Sequence, residues 1–140
     1  MAVVLSPVSP PRVADEDLAQ TFLAALGAQD FDRLATCFHT DVRFRALVPP
    51  GLREGTDSEE AIGWLRRWFG DADNLTVLSS GADTIADRLH IAYRLQLRKP
   101  AGWQVIEQQA YCTVEDGAIA DMAILCSGFQ PAPVAPAAAS

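Results

Sequence analysis

The sequence has few of the residues that metal, nucleic-acid and membrane partners require. It contains two histidines and three cysteines, and Cys37, Cys112 and Cys126 do not have the spacing of a metal-ligand motif, so no metal site is expected. Lysine and arginine number 11 against 18 acidic residues, which gives a net charge of -7. Such a chain has too few clustered cations to bind nucleic-acid phosphates or an anionic membrane surface.

Long apolar runs are also missing. No stretch approaches the roughly 20 apolar residues that a membrane-spanning helix needs. The first residues lack a basic start followed by a long apolar segment, so we expect no signal peptide and a cytoplasmic location. What is present suits one compact domain with a real core, since 49% of the 140 residues are hydrophobic.

Both ends of the chain differ in composition from its centre. Residues 1–14 are rich in proline and predict a flexible arm, whereas residues 131–140 consist almost wholly of alanine and proline and predict a disordered tail. The folded domain is therefore expected over residues 15–130.

Two helices are predicted to open the domain. Leu18, Phe22 and Leu26 repeat every four residues, which places them on one helical stripe. Asp15 is placed to cap this helix. Asp30 is placed to cap the short helix that follows.

A third helix follows a loop predicted over residues 47–55, where prolines and glycines cluster. The segment Thr56–Glu59 fits a capping box, and Ile62 begins an apolar stripe with Leu65 and Phe69. Gly70 is expected to end this helix.

The remaining segments predict strands. Residues 89–97 alternate strictly between apolar and polar side chains, which is typical of a strand with one buried face. The predicted strands cover residues 41–46, 75–85, 89–97, 103–114 and 118–129. The element order is therefore ααβαββββ.

The run Phe22-Leu-Ala-Ala-Leu-Gly-Ala-Gln-Asp30-Phe-Asp-Arg-Leu-Ala-Thr-Cys-Phe-His-Thr-Asp41-Val-Arg-Phe44 resembles the opening of the SnoaL-like, nuclear transport factor 2-like superfamily, which includes the ketosteroid isomerases. The resemblance implies an α+β fold in which a cone-shaped, curved mixed β-sheet wraps around the N-terminal helices. It also implies a single pocket on the concave face and a homodimer formed through the convex face.

The register of the last hairpin decides which side chains face this pocket. A three-residue turn with Gly117 left-handed would pair Val114 with Ala118 and Gln108 with Ile124. A two-residue turn would instead mix charged side chains into an apolar face, and register follows the hydrophobic pattern. We therefore predict the three-residue turn. The concave face of this hairpin would then comprise Ile106, Gln108, Ala110, Cys112, Val114, Ala118, Ala120, Met122, Ile124 and Cys126.

Four residues are candidates for catalysis. Gln108 and Tyr93 are the polar groups expected on the concave face, where an amide or a phenol can hold a ligand carbonyl. Glu107 and Asp121 are the candidate carboxylates, and the preferred register places both on the convex face. The resemblance implies a base, a tyrosine and a second acid in ketosteroid isomerases. Phe22 and Ala46 fall at two of these positions, and Ala110 or Gln109 at the third, which argues against that mechanism.

The candidate substrate-binding residues are apolar or aromatic, as a flat, apolar ligand requires. They are Phe22, Phe44, Trp64, Trp68, Met122, Ile124 and Cys126. For the aromatic members and for Cys126, a simple role in the core is the alternative.

The resemblance implies two functions. The first is a small enzyme without a cofactor, of the cyclase, isomerase or dehydratase type, that acts on an apolar carbonyl-bearing metabolite by proton transfer. The second is a non-catalytic module that uses the same fold for small-molecule binding or dimerisation. The small number of acid–base groups expected on the concave face favours the second. The biosynthetic members of the superfamily favour the first, which is the function we predict from the sequence, with the second as the alternative.

Overall fold

The computed structural model describes residues 13–132. The first helix begins at Val13, and the last strand includes Pro131. The rest of the predicted N-terminal arm and C-terminal tail, residues 1–12 and 133–140, lies outside the described residues.

Three helices form where the sequence predicts them: α1 (Val13–Gly27), α2 (Phe31–Ala35) and α3 (Ser58–Phe69). Asp30 caps α2, because its Oδ1 accepts a hydrogen bond of 3.1 Å from the backbone N–H of Arg33. Asp15 was predicted to cap α1, but this prediction is wrong because Asp15 lies inside the first turn of the helix.

The capping box of α3 lies one residue later than predicted. Asp57 is the cap, and its Oδ1 accepts a hydrogen bond of 2.8 Å from the backbone N–H of Glu60. Glu60 in turn accepts a hydrogen bond of 2.8 Å from the backbone N–H of Thr56. The cap is therefore Asp57 instead of the predicted Thr56, and Glu60 reaches back to the residue before the cap, in an arrangement close to a capping box.

Over the described residues, seven strands form one mixed sheet. Their bounds are β1 (Phe38–Val48), β2 (Gly51–Gly55), β3 (Asn74–Ile85), β4 (Arg88–Lys99), β5 (Gly102–Glu115), β6 (Ala118–Cys126) and β7 (Gln130–Pro131). The spatial order is β2-β1-β6-β5-β4-β3, and β7 pairs with β5. β1 and β6 are parallel, whereas the other pairs are antiparallel. The predicted α+β fold, a curved mixed sheet around N-terminal helices, is confirmed.

Two strands were not predicted, and one predicted strand ends early. The loop predicted over residues 47–55 contains β2, which forms a hairpin with β1 through the register pair Val48 and Gly51. The prolines and glycines that predicted a loop occupy the turn and the strand ends. β6 ends at Cys126 instead of residue 129, and the chain then adds the short strand β7.

The predicted pairing of Val114 with Ala118 is wrong. The turn has two residues, Asp116 and Gly117, both with positive φ, so Val114 pairs with Ile119. Such a turn matches the twist of a hairpin.

A β-bulge then corrects the alternation. Thr113 pairs with Asp121, which leaves Ala120 as an extra residue on β6. Beyond the bulge, Gln108 pairs with Cys126, two residues from the predicted partner. A shift of two residues keeps every side chain on its predicted face, whereas Ile119 is buried before the bulge in place of Ala118 and Ala120.

The core lies between the concave face of the sheet and the helices. Strand β4 shows the pattern, since its apolar side chains are buried and alternate with polar ones. The largest fully buried side chains are Phe22, Phe44, Phe69, Leu26, Leu34, Leu65, Leu89, Ile91, Leu95, Leu97, Ile106 and Ile119. No described helix has both the length and the apolar character that crossing a membrane requires.

Candidate functional site

A pocket of about 340 Å³ opens on the concave side of the sheet. Its walls come from the β1–β2 hairpin, the end of α3, the start of β5 and the segment that follows β6. The lining residues are Val48, Pro49, Pro50, Arg53, Trp68, Ile106, Cys126, Gly128, Phe129 and Gln130. The lining is mainly apolar, as in most small-molecule sites.

The segment after β6 is held in place by specific contacts. The backbone N–H of Ser127 donates to the carbonyl of Glu107 at 2.9 Å, and the Ser127 hydroxyl accepts from the Glu107 N–H at 2.9 Å. Gly128 then adopts a φ of 78°. A Cβ at this position would lie 2.5 Å from Cγ of Pro49, so the turn requires glycine both for its conformation and for its contact.

The side chains of Trp68 and Phe129 form one wall of the pocket. The ring of Phe129 packs edge-on against Phe69, with 6.2 Å between the centroids. Lys99 contacts both residues of this wall. Its Nζ lies 4.0 Å from the centroid of Phe129 and donates to the carbonyl of Trp68 at 2.8 Å, so one cation contacts the Phe129 ring and the backbone of Trp68.

A buried chain of polar groups ends at the pocket. The hydroxyl of Tyr93 donates to Oε1 of Gln108 at 2.5 Å, and Nε2 of Gln108 donates to Sγ of Cys126 at 3.3 Å. The backbone N–H of Gly128 donates to the same sulfur at 3.3 Å. These side chains come from three adjacent strands, since Gln108 pairs with both Tyr93 and Cys126.

Burial sets the chemistry of this chain. Gln108 is fully buried, and its amide is satisfied by its neighbours on β4 and β6. Burial raises the pKa of Tyr93 well above 10.0, because the anionic phenolate would lose its hydration. Tyr93 is therefore a neutral hydrogen-bond donor, and Cys126 is the member of the chain that reaches the pocket lining.

The structure does not bring the predicted site residues together in one place. Trp68 and Cys126 line the pocket, while Gln108 and Tyr93 lie behind Cys126. The other predicted binding residues, Phe22, Phe44, Trp64, Met122 and Ile124, do not line this pocket.

Most of these non-lining residues are part of the core. Phe22 and Phe44 are fully buried, and Phe22 packs against Tyr93 with 5.9 Å between the ring centroids. Met122 and Ile124 are buried among the same core residues. Trp64 lies against β2 instead, where its Nε1 donates to the carbonyl of Glu54 at 3.0 Å.

Glu107 and Asp121 are directed to the convex face, as the preferred register predicted. Glu107 pairs with Arg94 at 2.7 Å, and Asp121 pairs with Arg45 at 3.2 Å. Among the described residues, no carboxylate lines the pocket.

Most of the lining residues were not predicted from the sequence. Pro49, Pro50 and Arg53 were assigned to a loop, and Gly128 and Phe129 to the end of the last strand. The available signal was the clustering of proline and glycine on both segments, which marks chain reversals. Nothing in the sequence alone shows that these two reversals meet.

The convex face carries a second polar cluster. Nδ1 of His90 lies 2.8 Å from Oδ1 of Asp83, and Nε2 lies 2.6 Å from Oε1 of Gln109. The imidazole stacks on Tyr111, with 4.9 Å between the centroids. Over residues 13–132, no group of histidine, cysteine and acidic side chains could hold a metal ion.

Comparisons with known proteins agree with the fold. A family model described as a SnoaL-like domain matches residues 19–122. No curated protein matches the chain.

Three solved structures illustrate the likeness. An LEH-like epoxide hydrolase from M. tuberculosis is 17% identical with a TM-score of 0.66, over 84% of this chain and 86% of that one. A protein from Xanthomonas campestris provisionally described as a polyketide cyclase is 17% identical with a TM-score of 0.67, over 81% and 90%. A Catenulispora acidiphila protein with a ketosteroid isomerase-like fold, solved with trimethylamine, is 16% identical with a TM-score of 0.63, over 79% and 85%.

Proposed function

The chain belongs to the SnoaL-like domain family, and on this premise we propose that it binds a small apolar molecule in the pocket between the β1–β2 hairpin and residues 126–130. The observation that carries the proposal is the lining, which is mainly apolar and aromatic and contains no carboxylate. Such a lining favours binding of an apolar body by burial of its surface.

Binding is tested by filling the pocket. Val48 lines the pocket, whereas Val114 lies at the far end of β5, and both pack at the edge of the core. We expect Val48→Phe to weaken binding of 2-acetylnaphthalene, measured by isothermal titration calorimetry, and Val114→Phe to leave binding unchanged. Equal affinities for the two variants, or no binding to the wild type, would contradict the proposal.

A second candidate function is proton transfer on a carbonyl-bearing ligand, of the cyclase, isomerase or dehydratase type. The buried chain from Tyr93 through Gln108 to Cys126 favours it, since these hydrogen bonds hold the Cys126 thiol at the pocket, where its S–H can donate to a developing enolate oxygen. One such donor contributes about 100- to 1,000-fold to a rate. The lining contains no carboxylate that could act as a general base. Binding without turnover is therefore the leading proposal.

Exchange of α-protons separates the two functions. The wild type is incubated with a cyclic ketone in D₂O, and deuterium incorporation is followed by NMR. An enzyme would accelerate exchange, Tyr93→Phe would slow it, and Tyr111→Phe, which alters a phenol on the convex face, would not. Tight binding of the same ketone without accelerated exchange would identify a binding module.

We also propose that the convex face joins two copies of the chain. Leu47, Leu52 and Leu125 form one row across β2, β1 and β6, and their exposed fractions are 52%, 53% and 55%. A row of exposed leucines on a sheet face is typical of an interface.

Sedimentation tests this interface. Leu125→Glu should convert a dimer into a monomer, because it buries a charge between the two sheets. Ile85→Glu, at the opposite edge of the sheet and 41% exposed, should leave the dimer intact. A monomeric wild type, or a dimeric Leu125→Glu variant, would exclude this interface.

A further inference from the structure

The charge of the pocket differs in sign from the charge of the protein. The chain has a net charge of -7, but Arg53 is the one charged residue in the lining. It pairs with Ala46 in the register of β1 and β2, so it shares the concave face with that buried residue. A cation is therefore held at an apolar pocket from which carboxylates are absent.

The guanidinium of Arg53 has unused hydrogen-bonding capacity. Arg45, Arg94 and Arg98 each pair with a carboxylate, whereas Arg53 forms no ion pair with any residue over 13–132. Its Nη1 donates to the carbonyl of Leu52 at 3.3 Å. Since a guanidinium carries five N–H donors, most of them remain available to a ligand.

The second nearby cation does not offer the same opportunity. Nζ of Lys99 lies over the ring of Phe129, donates to the carbonyl of Trp68 and is 3.2 Å from Oδ1 of Asp71. Its ammonium group is thus already paired with a carboxylate and a carbonyl, and Lys99 does not line the pocket. Arg53 is the group positioned to meet an anion inside the pocket.

We propose that the pocket selects molecules that carry a carboxylate on an apolar body, and that Arg53 binds the carboxylate. The inference rests on the proposed binding function and specifies its ligand class. The apolar body packs against Trp68, Phe129 and Ile106. The carboxylate accepts hydrogen bonds from the N–H groups of the Arg53 guanidinium. A planar guanidinium matches a carboxylate in two parallel hydrogen bonds, and charge-assisted bonds of this kind are about twice as strong as neutral ones.

Arg67 provides a matched control for Arg53, because both guanidinium groups lie over the ring of Trp64. The guanidinium carbon of Arg53 lies 5.7 Å from the centroid of the Trp64 ring, and that of Arg67 lies 5.4 Å from the same centroid. Arg67 does not line the pocket. Arg53→Gln and Arg67→Gln therefore remove the same charge from the same aromatic ring, and only the first changes the pocket.

The test compares 1-naphthylacetate with its neutral isostere 1-naphthylacetamide by calorimetric titration. We expect the wild type and Arg67→Gln to bind the carboxylate about tenfold more tightly than the amide, a ratio typical of one charge-assisted pair. Arg53→Gln should lose this preference while its affinity for the amide stays the same.

Each other outcome has a definite meaning. Equal binding of acid and amide to the wild type, or a preference that survives Arg53→Gln, overturns the role of Arg53 and leaves the pocket proposal standing. Loss of the preference in Arg67→Gln as well would assign it to the general field of the surface and would also overturn the proposal. Binding of neither probe to the folded wild type overturns both.

Discussion

Single residues at the end of β6 connect the core to the pocket. Cys126 is the last residue of the strand, and its Sγ accepts hydrogen bonds from Nε2 of Gln108 and from the backbone N–H of Gly128. The inward direction of Gln108 was predictable, because alternation along β5 places it among apolar neighbours. The position of Gly128 was not, because its constraint comes from Pro49, a residue distant in the chain.

Substitution of this glycine should damage the pocket more than its conformation alone explains. Gly128 and Gly117 have φ values of 78° and 77°, but a Cβ at Gly117 meets nothing within 4 Å. Gly117→Ala should cost about 1–2 kcal/mol from the left-handed backbone. Gly128→Ala should cost more, because Pro49 must also move, and it should weaken ligand binding.

Urea unfolding of the two variants measures this difference. A matched loss of stability in both would show that Pro49 yields without cost. Unchanged ligand affinity in Gly128→Ala would show that the pocket does not depend on this contact.

The elements were predicted better than their pairing. The helix ends at Gly27 and Gly70 and the alternation of β4 are local signals, and the structure agrees with them. The hairpin turn is also local, but the bulge at Ala120 is not, since it is stabilised by placing Ile119 and Met122 in the core together. β2 was missed because its five residues include two glycines, which weaken a strand pattern.

Helix α3, which carries Trp68 to the pocket, depends on its cap. Asp57→Ala removes the hydrogen bond from the Glu60 N–H and should destabilise the protein by about 1 kcal/mol. Asp57→Asn keeps an acceptor oxygen and should retain most of the stability. Thermal unfolding compares the two, and an equal loss in both would show that the charge at the helix terminus matters more than the hydrogen bond.

On the scale of the whole molecule, the fold was predictable because the order of elements and the buried faces agree with each other. The pocket was less predictable than the fold, because its walls are chain reversals that the curvature of the sheet brings together. Core aromatic residues such as Phe22 and Phe44 were therefore mistaken for its lining, since an apolar pattern does not separate the wall of a cavity from a filled core.

Because two thiols are buried, we expect the free energy of unfolding to fall as the pH becomes alkaline. Burial raises the pKa of Cys37 from 9.0 to about 11 and that of Cys112 from 9.0 to about 12. Below pH 9 the thiols keep their protons in both the native and the unfolded chain, so this contribution to stability is fully present. As the pH rises above 9, the unfolded chain loses protons that the native state retains, and stability should fall by up to about 1.4 kcal/mol per pH unit for each thiol.

Urea unfolding between pH 7 and 10.5 measures this loss. Cys112→Ala should show a shallower decline than the wild type, because one of the two thiols is removed. A free energy of unfolding that stays constant up to pH 10.5 would contradict the burial of these groups.

The parallel pairing of β1 with β6 also determines when the pocket can exist. Phe44 is placed beside Met122, so an early strand must wait for a late one before the sheet is complete. Contacts between segments so distant in sequence slow folding. A nascent chain that ends before β6 lacks Cys126 and the segment after it, which form one wall of the pocket. Any molecule that the pocket holds is therefore recognised only after the last long strand has left the ribosome.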